Sequence, residues 1–252
     1  MSAPAGSTLA ARFREARSDK ALVVLEGFHA LKHALRFGAA VEQAVTPDAA
    51  ALAALAAGLA PDLLTGLATL LREVDAATFA DLAPIPPATG VLALARRPQV
   101  DVAALLDQPQ GAPLVLLERP GDLGNIGAVI RVAAAVGAAG VLALGPSDPW
   151  HPTAVRGAAG LQFALPVARI ERLGTTGRPL VAIDPTGTPL TPGALPEAAL
   201  CLFGSERTGI GADLLARASL RLALVMRPGV SSLNLATAVA ATLYLGMAGR
   251  SP

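Results

Sequence analysis

The chain has 252 residues, a net charge of +1 and 53% hydrophobic residues, enough for one large domain or two small ones with buried cores. Aromatic residues make up only 3%, which excludes an extended aromatic platform for single-stranded RNA, and the near-neutral charge confines any nucleic-acid contact to a local patch. The single cysteine, Cys201, excludes a disulfide within the chain, and its apolar run Ala199–Phe203 reads as a buried strand.

Residues 1–20 read as an N-terminal extension, with Ser7 or Thr8 capping a short helix that carries Arg12, Arg14, Arg17 and Lys20. Met1 to Ala10 lacks a basic region followed by an apolar core, so no signal peptide is expected. Residues 21–98 alternate strand-like and helix-like runs and form a small α/β unit. Ala21–Leu25 is a strand, Gly27–Phe37 a helix ended by Gly38, Val41–Val45 a strand and Ala49–Leu59 a helix. Leu70–Val74 and Gly90–Ala95 are further strands. His29 and His33 lie four apart on the first of these helices. They lack Cys, Asp or Glu at ligand spacing, so the expectation is surface or RNA-facing histidines and no metal. Lys32 and Arg36 are the first phosphate-contact candidates there, against the plainer reading of a solvated helix face.

Residues 99–112, rich in Pro, Gly and Gln, read as a linker. Residues 113–252 form a second α/β unit. Its strands are Leu114–Leu117, Gly140–Leu144, Leu180–Ile183, Leu200–Phe203 and Leu222–Val225, with helices over Ile126–Val136 and Leu235–Met247. Short unbroken apolar strands alternating with helices predict a parallel sheet covered on both faces. The longest near-apolar stretch, Leu235–Ala248, falls short of the roughly 20 residues that span a bilayer, so a cytoplasmic protein is expected.

In a parallel sheet, ligands collect at the C-terminal strand ends. Three loops there carry the chemistry. After Leu117 come Glu118 to Gly127, with Asn125 placed to cap a helix that bears Arg131. After Phe203 come Gly204, Ser205, Glu206 and Gly209. After Val225 the chain runs through Met226, Gly229, Ser232, Leu233 and Asn234 into the last helix. Neither the phosphate-loop nor the dinucleotide fingerprint is present, which weakens the case for a generic nucleotide enzyme.

Taken in order, these loops resemble the three motifs of the SpoU (TrmH-like) family of RNA ribose 2′-O-methyltransferases, within the SPOUT superfamily. Asn125, Gly127 and Arg131 match the first motif, Gly204-Ser205-Glu206 with Gly209 the second, and Ser232-Leu233-Asn234 the third. Trp150–Gly160 and Leu165–Val167 are similar to the family's intervening segment, and Leu25-Glu26-Gly27 to its L30e-like substrate-binding domain. Leu123, Ala158, Val225 and Pro228 depart from common family residues.

The resemblance implies a C-terminal domain with a deep trefoil knot and an S-adenosylmethionine site at Gly204, Leu224, Met226 and Leu233. It implies a homodimer with the charge-poor last helix in its interface. Arg131, Asn125, Glu206, Ser232 and Asn234 would be the catalytic set, with Arg131 orienting hydroxyl and phosphate and Glu206 fixing Arg131 or the ribose. The separate N-terminal unit favours ribosomal over transfer RNA. The rival readings are a knotted enzyme methylating an RNA base and a non-catalytic RNA-binding or ribosome-assembly protein.

Overall fold

The computed structural model describes residues 5–248. They form two compact units, one built from residues up to 99 with 150–164, the other from 100–149 with the chain after 165.

The first unit runs α1 (Ala5–Ala16), β1 (Leu22–Glu26), α2 (Phe28–Arg36), β2 (Val41–Thr46), α3 (Ala49–Leu59), α4 (Leu64–Leu70), β3 (Leu71–Glu73), α5 (Ala76–Ala80) and β4 (Leu92–Arg96). Its sheet has the order β1-β4-β2-β3, with β4 antiparallel to both neighbours and β2 parallel to β3. Helix α1 buries Leu9, Ala10, Phe13 and Ala16 against Val24, Val45, Phe79, Leu92 and Leu94. The expected extension is thus part of the core, and Thr8 lies inside the helix rather than capping it. Asp48 and Asp75 cap α3 and α5 through the amides of Ala51 and Thr78, satisfying N–H groups that a helix start leaves unpaired.

Residues 150–164 pack in this unit through α8 (Pro152–Gly157) and a turn stacked edge-on, Trp150 to Phe163, at 5.1 Å. Gly160, at φ 78°, lies against the backbone of Ala30, where a Cβ would stand 2.4 Å from the Ala30 oxygen. His33 donates through Nδ1 to the Ala159 carbonyl at 2.7 Å, and burial holds its ring below the usual imidazole range. His33 is therefore half-buried and engaged rather than surface-facing, while His29 is exposed.

The second unit runs α6 (Val102–Leu106), β5 (Leu114–Glu118), α7 (Leu123–Ala135), β6 (Gly140–Leu144), β7 (Val167–Ile170), β8 (Leu180–Pro189), β9 (Leu200–Phe203), α9 (Ala212–Arg217), β10 (Leu220–Ala223) and α10 (Leu235–Met247). All pairings in its six-stranded sheet, order β10-β8-β9-β5-β6-β7, are parallel. This is the expected α/β architecture. Strand β5 sits mid-sheet, with Leu114–Leu117 fully buried. Helix α10 turns Leu235, Val239 and Leu243 inward, one every four residues, and packs on α7.

Three details differ from expectation. Residues 99–112 carry α6, whose Leu105 and Leu106 join the second unit's core. Strand β7 escaped notice because only its two ends are buried and the exposed Arg169 breaks the apolar run that marks the inner strands. Strand β10 ends two residues early, at Ala223, which leaves Leu224 to Met226 in the loop.

The α6 segment is fastened by Arg178. Its buried guanidinium donates to the carbonyls of Leu105 (2.9 Å), Ala112 (2.9 Å) and Ala198 (3.2 Å) and to Gln108 Oε1 (3.2 Å). A buried carbonyl stripped of its donor costs about 1–3 kcal/mol. Arg178→Met should therefore lower stability by about 2–4 kcal/mol in urea titration, since methionine fills space but donates nothing; a loss under about 0.5 kcal/mol would place the segment's anchorage elsewhere.

Candidate active site

Asp122, not Asn125, caps α7: its carboxylate accepts the Asn125 N–H at 2.6 Å. The helix thus begins at Leu123, one turn earlier than the sequence implied. Asn125 falls in the first turn, and its side chain is free to work outside the helix. Its Nδ2 donates to Glu206 Oε1 at 2.9 Å, and its Oδ1 accepts from Asn234 Nδ2 at 2.9 Å. Asn234 Oδ1 caps α10 through the amides of Ala236 and Thr237. Glu206 Oε2 takes the Gly121 N–H at 3.3 Å. One chain of hydrogen bonds therefore joins the loops after β5, β9 and β10.

The loop after β9 is closed by reciprocal backbone bonds between Ser205 and Gly209, at 3.2 and 3.0 Å. Gly204 packs so tightly that a Cβ there would stand 2.0 Å from the Gly209 carbonyl carbon. At the loop's far end Glu118, the last residue of β5, accepts the Gly211 N–H at 2.7 Å.

The loops after β9 and β10 line a cavity of about 380 Å³. Gly204, Leu224, Met226 and Leu233, the four expected cofactor residues, all line it, as do Glu206 and Ser232. Phe203, Ile210, Leu235 and Ala238 make its wall largely apolar. The sequence reading missed Ile183, Asp184 and Pro185, which also line it. Pairing of β8 with β10 jumps from Ala182↔Arg221 to Thr188↔Leu222, so the intervening residues loop out. The turn composition Asp184-Pro185-Thr186-Gly187 after an apolar strand was the available signal.

Burial raises the Glu206 carboxyl, but the bonds from Asn125 and the local amides outweigh it and hold the group below the usual carboxylate range. Arg131 stands on α7, exposed, with no hydrogen bond or ion pair among the described residues; Glu206 fixes Asn125 in this chain, not Arg131. Lys32 and Arg36 lie in the first unit, where Arg36 forks onto Asp62 at 2.7 and 3.0 Å, a solvated surface pair. Of the departing residues, Leu123 opens α7, Ala158 ends α8, and Val225 and Pro228 are exposed in the third loop. Among the described residues no group of three His, Cys, Asp or Glu side chains could hold a metal ion, and no helix is long and apolar enough to cross a membrane.

The model of the SpoU rRNA methylase family matches residues 112–244, which contain all three loops. The chain belongs to this family. Among relatives, it is similar to the 23S rRNA (guanosine(2553)-2′-O)-methyltransferase RlmP of Bacillus subtilis, 26% identical over 244 residues, covering 92% of this chain and 90% of that protein. It is also similar to the 23S rRNA (uridine(2479)-2′-O)-methyltransferase of Streptomyces viridochromogenes, 32% identical over 144 residues, 52% of this chain and 50% of that one. The chain spans about half the length of the first curated relatives it matches. Among solved structures, an RNA 2′-O ribose methyltransferase superposes with a TM-score of 0.72 at 28% identity, covering 96% of this chain and 94% of that one. The SpoU methyltransferase AviRb of Streptomyces viridochromogenes, solved with AdoMet, shares the fold at a TM-score of 0.75, 23% identity and 96% coverage of both chains.

Two consequences follow from the site's geometry. Gly204→Ala should displace the loop after β9 and lower the melting temperature, because its new methyl would overlap the Gly209–Ile210 peptide. Gly121→Ala, whose Cβ would lie 3.6 Å from Glu206 Oε2, should be tolerated; equal melting temperatures for the two variants would contradict this packing.

Asn125→Asp sets a second carboxylate against Glu206 and removes the donor between them. The depressed Glu206 carboxyl contributes stability that is present above its unfolded value and lost as pH falls through its lower folded value. In the variant, protonation of one carboxyl restores a shared hydrogen bond, so the stability gap to the unaltered protein should narrow as pH falls. Denaturation across the carboxylate range checks this, and a gap independent of pH would show that the two side chains do not interact.

Proposed function

We propose that this protein transfers a methyl group from S-adenosylmethionine to a ribose 2′-hydroxyl of RNA, most specifically large-subunit ribosomal RNA, in the cytoplasm. The observation that carries this reading is that the second and third family motifs line one cavity and a single hydrogen-bond chain ties Asn125 of the first motif to both. The activities of the relatives from Bacillus subtilis and Streptomyces viridochromogenes support the reaction and the RNA class. We also propose the family's knot for the threading of these loops, a homodimer built on α10, and recognition of RNA by residues 21–98.

The cavity suits the cofactor. Its volume falls within the roughly 300–1,000 Å³ of small-molecule pockets, and its apolar wall suits a stacked base. The carboxylates of Asp184 and Glu206 give it a negative side fit for a sulfonium and an ammonium. Gly204, Leu224, Met226 and Leu233 would hold the bound molecule. When bound, S-adenosylmethionine supplies a methyl group already activated on sulfur.

What remains for the protein is to align the hydroxyl and help remove its proton. Arg131 is a poor base, because its guanidinium is a cation with donors only and no acceptor for the proton. Glu206 is also poorly placed for that task, since both its oxygens accept hydrogen bonds within the loops. Arg131 instead orients the hydroxyl and grips an adjacent phosphate, and that phosphate takes the proton. Asn125, Ser232 and Asn234 hold the loops and the nucleotide in register.

Arg131→Ala should abolish methyl transfer to a ribosomal RNA transcript while leaving folding and cofactor affinity intact. Arg131→Lys should remain severely impaired, because it keeps the charge but loses the planar fork. The fall should appear in kcat rather than only in KM. Digestion of the product to nucleosides should place the label on ribose. Label on a base, or near-normal turnover of Arg131→Ala, would overturn the reading.

A further inference from the structure

A second cleft opens beside the cavity and shares Ser205 and Glu206 with it. Arg119, Asp122, Asn125, Arg207 and Thr208 complete most of its lining. We propose that Arg119 and Arg207 form a clamp for the phosphodiester backbone of the substrate RNA next to the reacting ribose. This rests on the RNA methyltransferase reading above.

The charges of the cleft are unevenly committed. Asp122 spends its carboxylate on the Asn125 amide, and Glu206 accepts from Asn125 Nδ2 and the Gly121 amide. Both acids keep their charge, but their oxygens are directed at donors inside the loops. The two guanidiniums are exposed, and among the described residues neither makes a hydrogen bond or ion pair. The cleft therefore offers ten N–H donors of fixed fork geometry with no protein acceptor, the pattern that matches phosphate oxygens.

Both arginines stand on set backbone. Arg119 is at φ 47°, a left-handed conformation that non-glycine residues rarely adopt, and its N–H is tied to Leu144 O at 2.7 Å. Gly145, at φ 122°, lies beneath its side chain, where a Cβ would come 3.4 Å from Arg119 Cγ. Arg207 projects from the loop closed by Ser205 and Gly209, which is braced again by Ser205 Oγ with Thr208 Oγ1 at 2.7 Å and with the Thr208 amide at 3.1 Å. Strained backbone holding a charged side chain at the rim of a reaction cavity is how a site is preorganised. With a net charge of only +1, the chain must gain RNA affinity from such local groups.

The test uses Arg119→Gly, Arg207→Ala and the double variant. Glycine relieves the left-handed backbone at 119, so that variant should stay folded, which thermal denaturation checks. RNA affinity is measured over a series of salt concentrations with the transcript that the unaltered protein methylates. Each lost phosphate contact should lower the slope of log Kd against log salt by about 0.7–0.9. RNA Kd and KM should rise about tenfold or more in the double variant, with cofactor affinity by calorimetry unchanged. Unchanged slopes would overturn the clamp while leaving the methyltransferase reading intact. A parallel fall in cofactor affinity would also overturn it, by showing that the arginines shape the loops. If the unaltered protein neither methylates nor binds the RNA, the methyltransferase reading itself fails and the clamp with it.

Discussion

The side chain of Asn125 gives and takes one hydrogen bond each, to Glu206 and from Asn234, and the geometry of the whole second unit serves that junction. Three loops far apart in sequence can meet there only because their strands, β5, β9 and β10, deliver them to the same end of one parallel sheet. The junction also explains why Asp122 caps α7. If Asn125 were the cap, its oxygen would be spent on the helix and could not also accept from Asn234. Asn234 reconciles the two demands by using its oxygen for α10 and its nitrogen for Asn125.

Burial and openness are divided accordingly. Beneath the junction the strands are almost fully buried, and Gly204 lets the loop after β9 fold back on itself without a side chain between. Above it Glu206, Ser232, Leu233 and Asn234 are exposed. A buried sheet with exposed loops on its substrate side is the usual division of labour in parallel α/β enzymes, where binding groups sit on loops and precision comes from the strands that hold them. The loops differ in how they are secured. The one after β9 is fixed by backbone bonds at both ends, whereas the third is held chiefly through Asn234.

Much of this was legible in the sequence. The inner strands are unbroken apolar runs, and Gly140–Leu144 and Leu200–Phe203 were read to the residue. The three motifs singled out Asn125, Glu206 and Asn234, though not their bonds to one another, and the four cofactor candidates line one cavity. What could not be read was decided by long-range contacts. No local signal reveals that Arg178 holds carbonyls about 70 residues away in sequence, or that α1 plugs the first unit's core. The bulge that brings Asp184 to the cavity depends on the β8–β10 register, which pattern alone does not specify. Capping was misassigned because Asp122 and Asn125 are equally good caps by type, and only the fold decides between them.

The three loops act as one unit through Asn125. A double-mutant cycle between Glu206→Gln and Asn234→Ala, two residues that do not touch but share Asn125, tests it most directly when S-adenosylmethionine affinity is read by calorimetry. Residues in one hydrogen-bond network couple by about 0.5–3 kcal/mol, so the double variant should bind measurably better or worse than the sum of the single effects. Strict additivity would contradict the account and leave three loops that are merely neighbours.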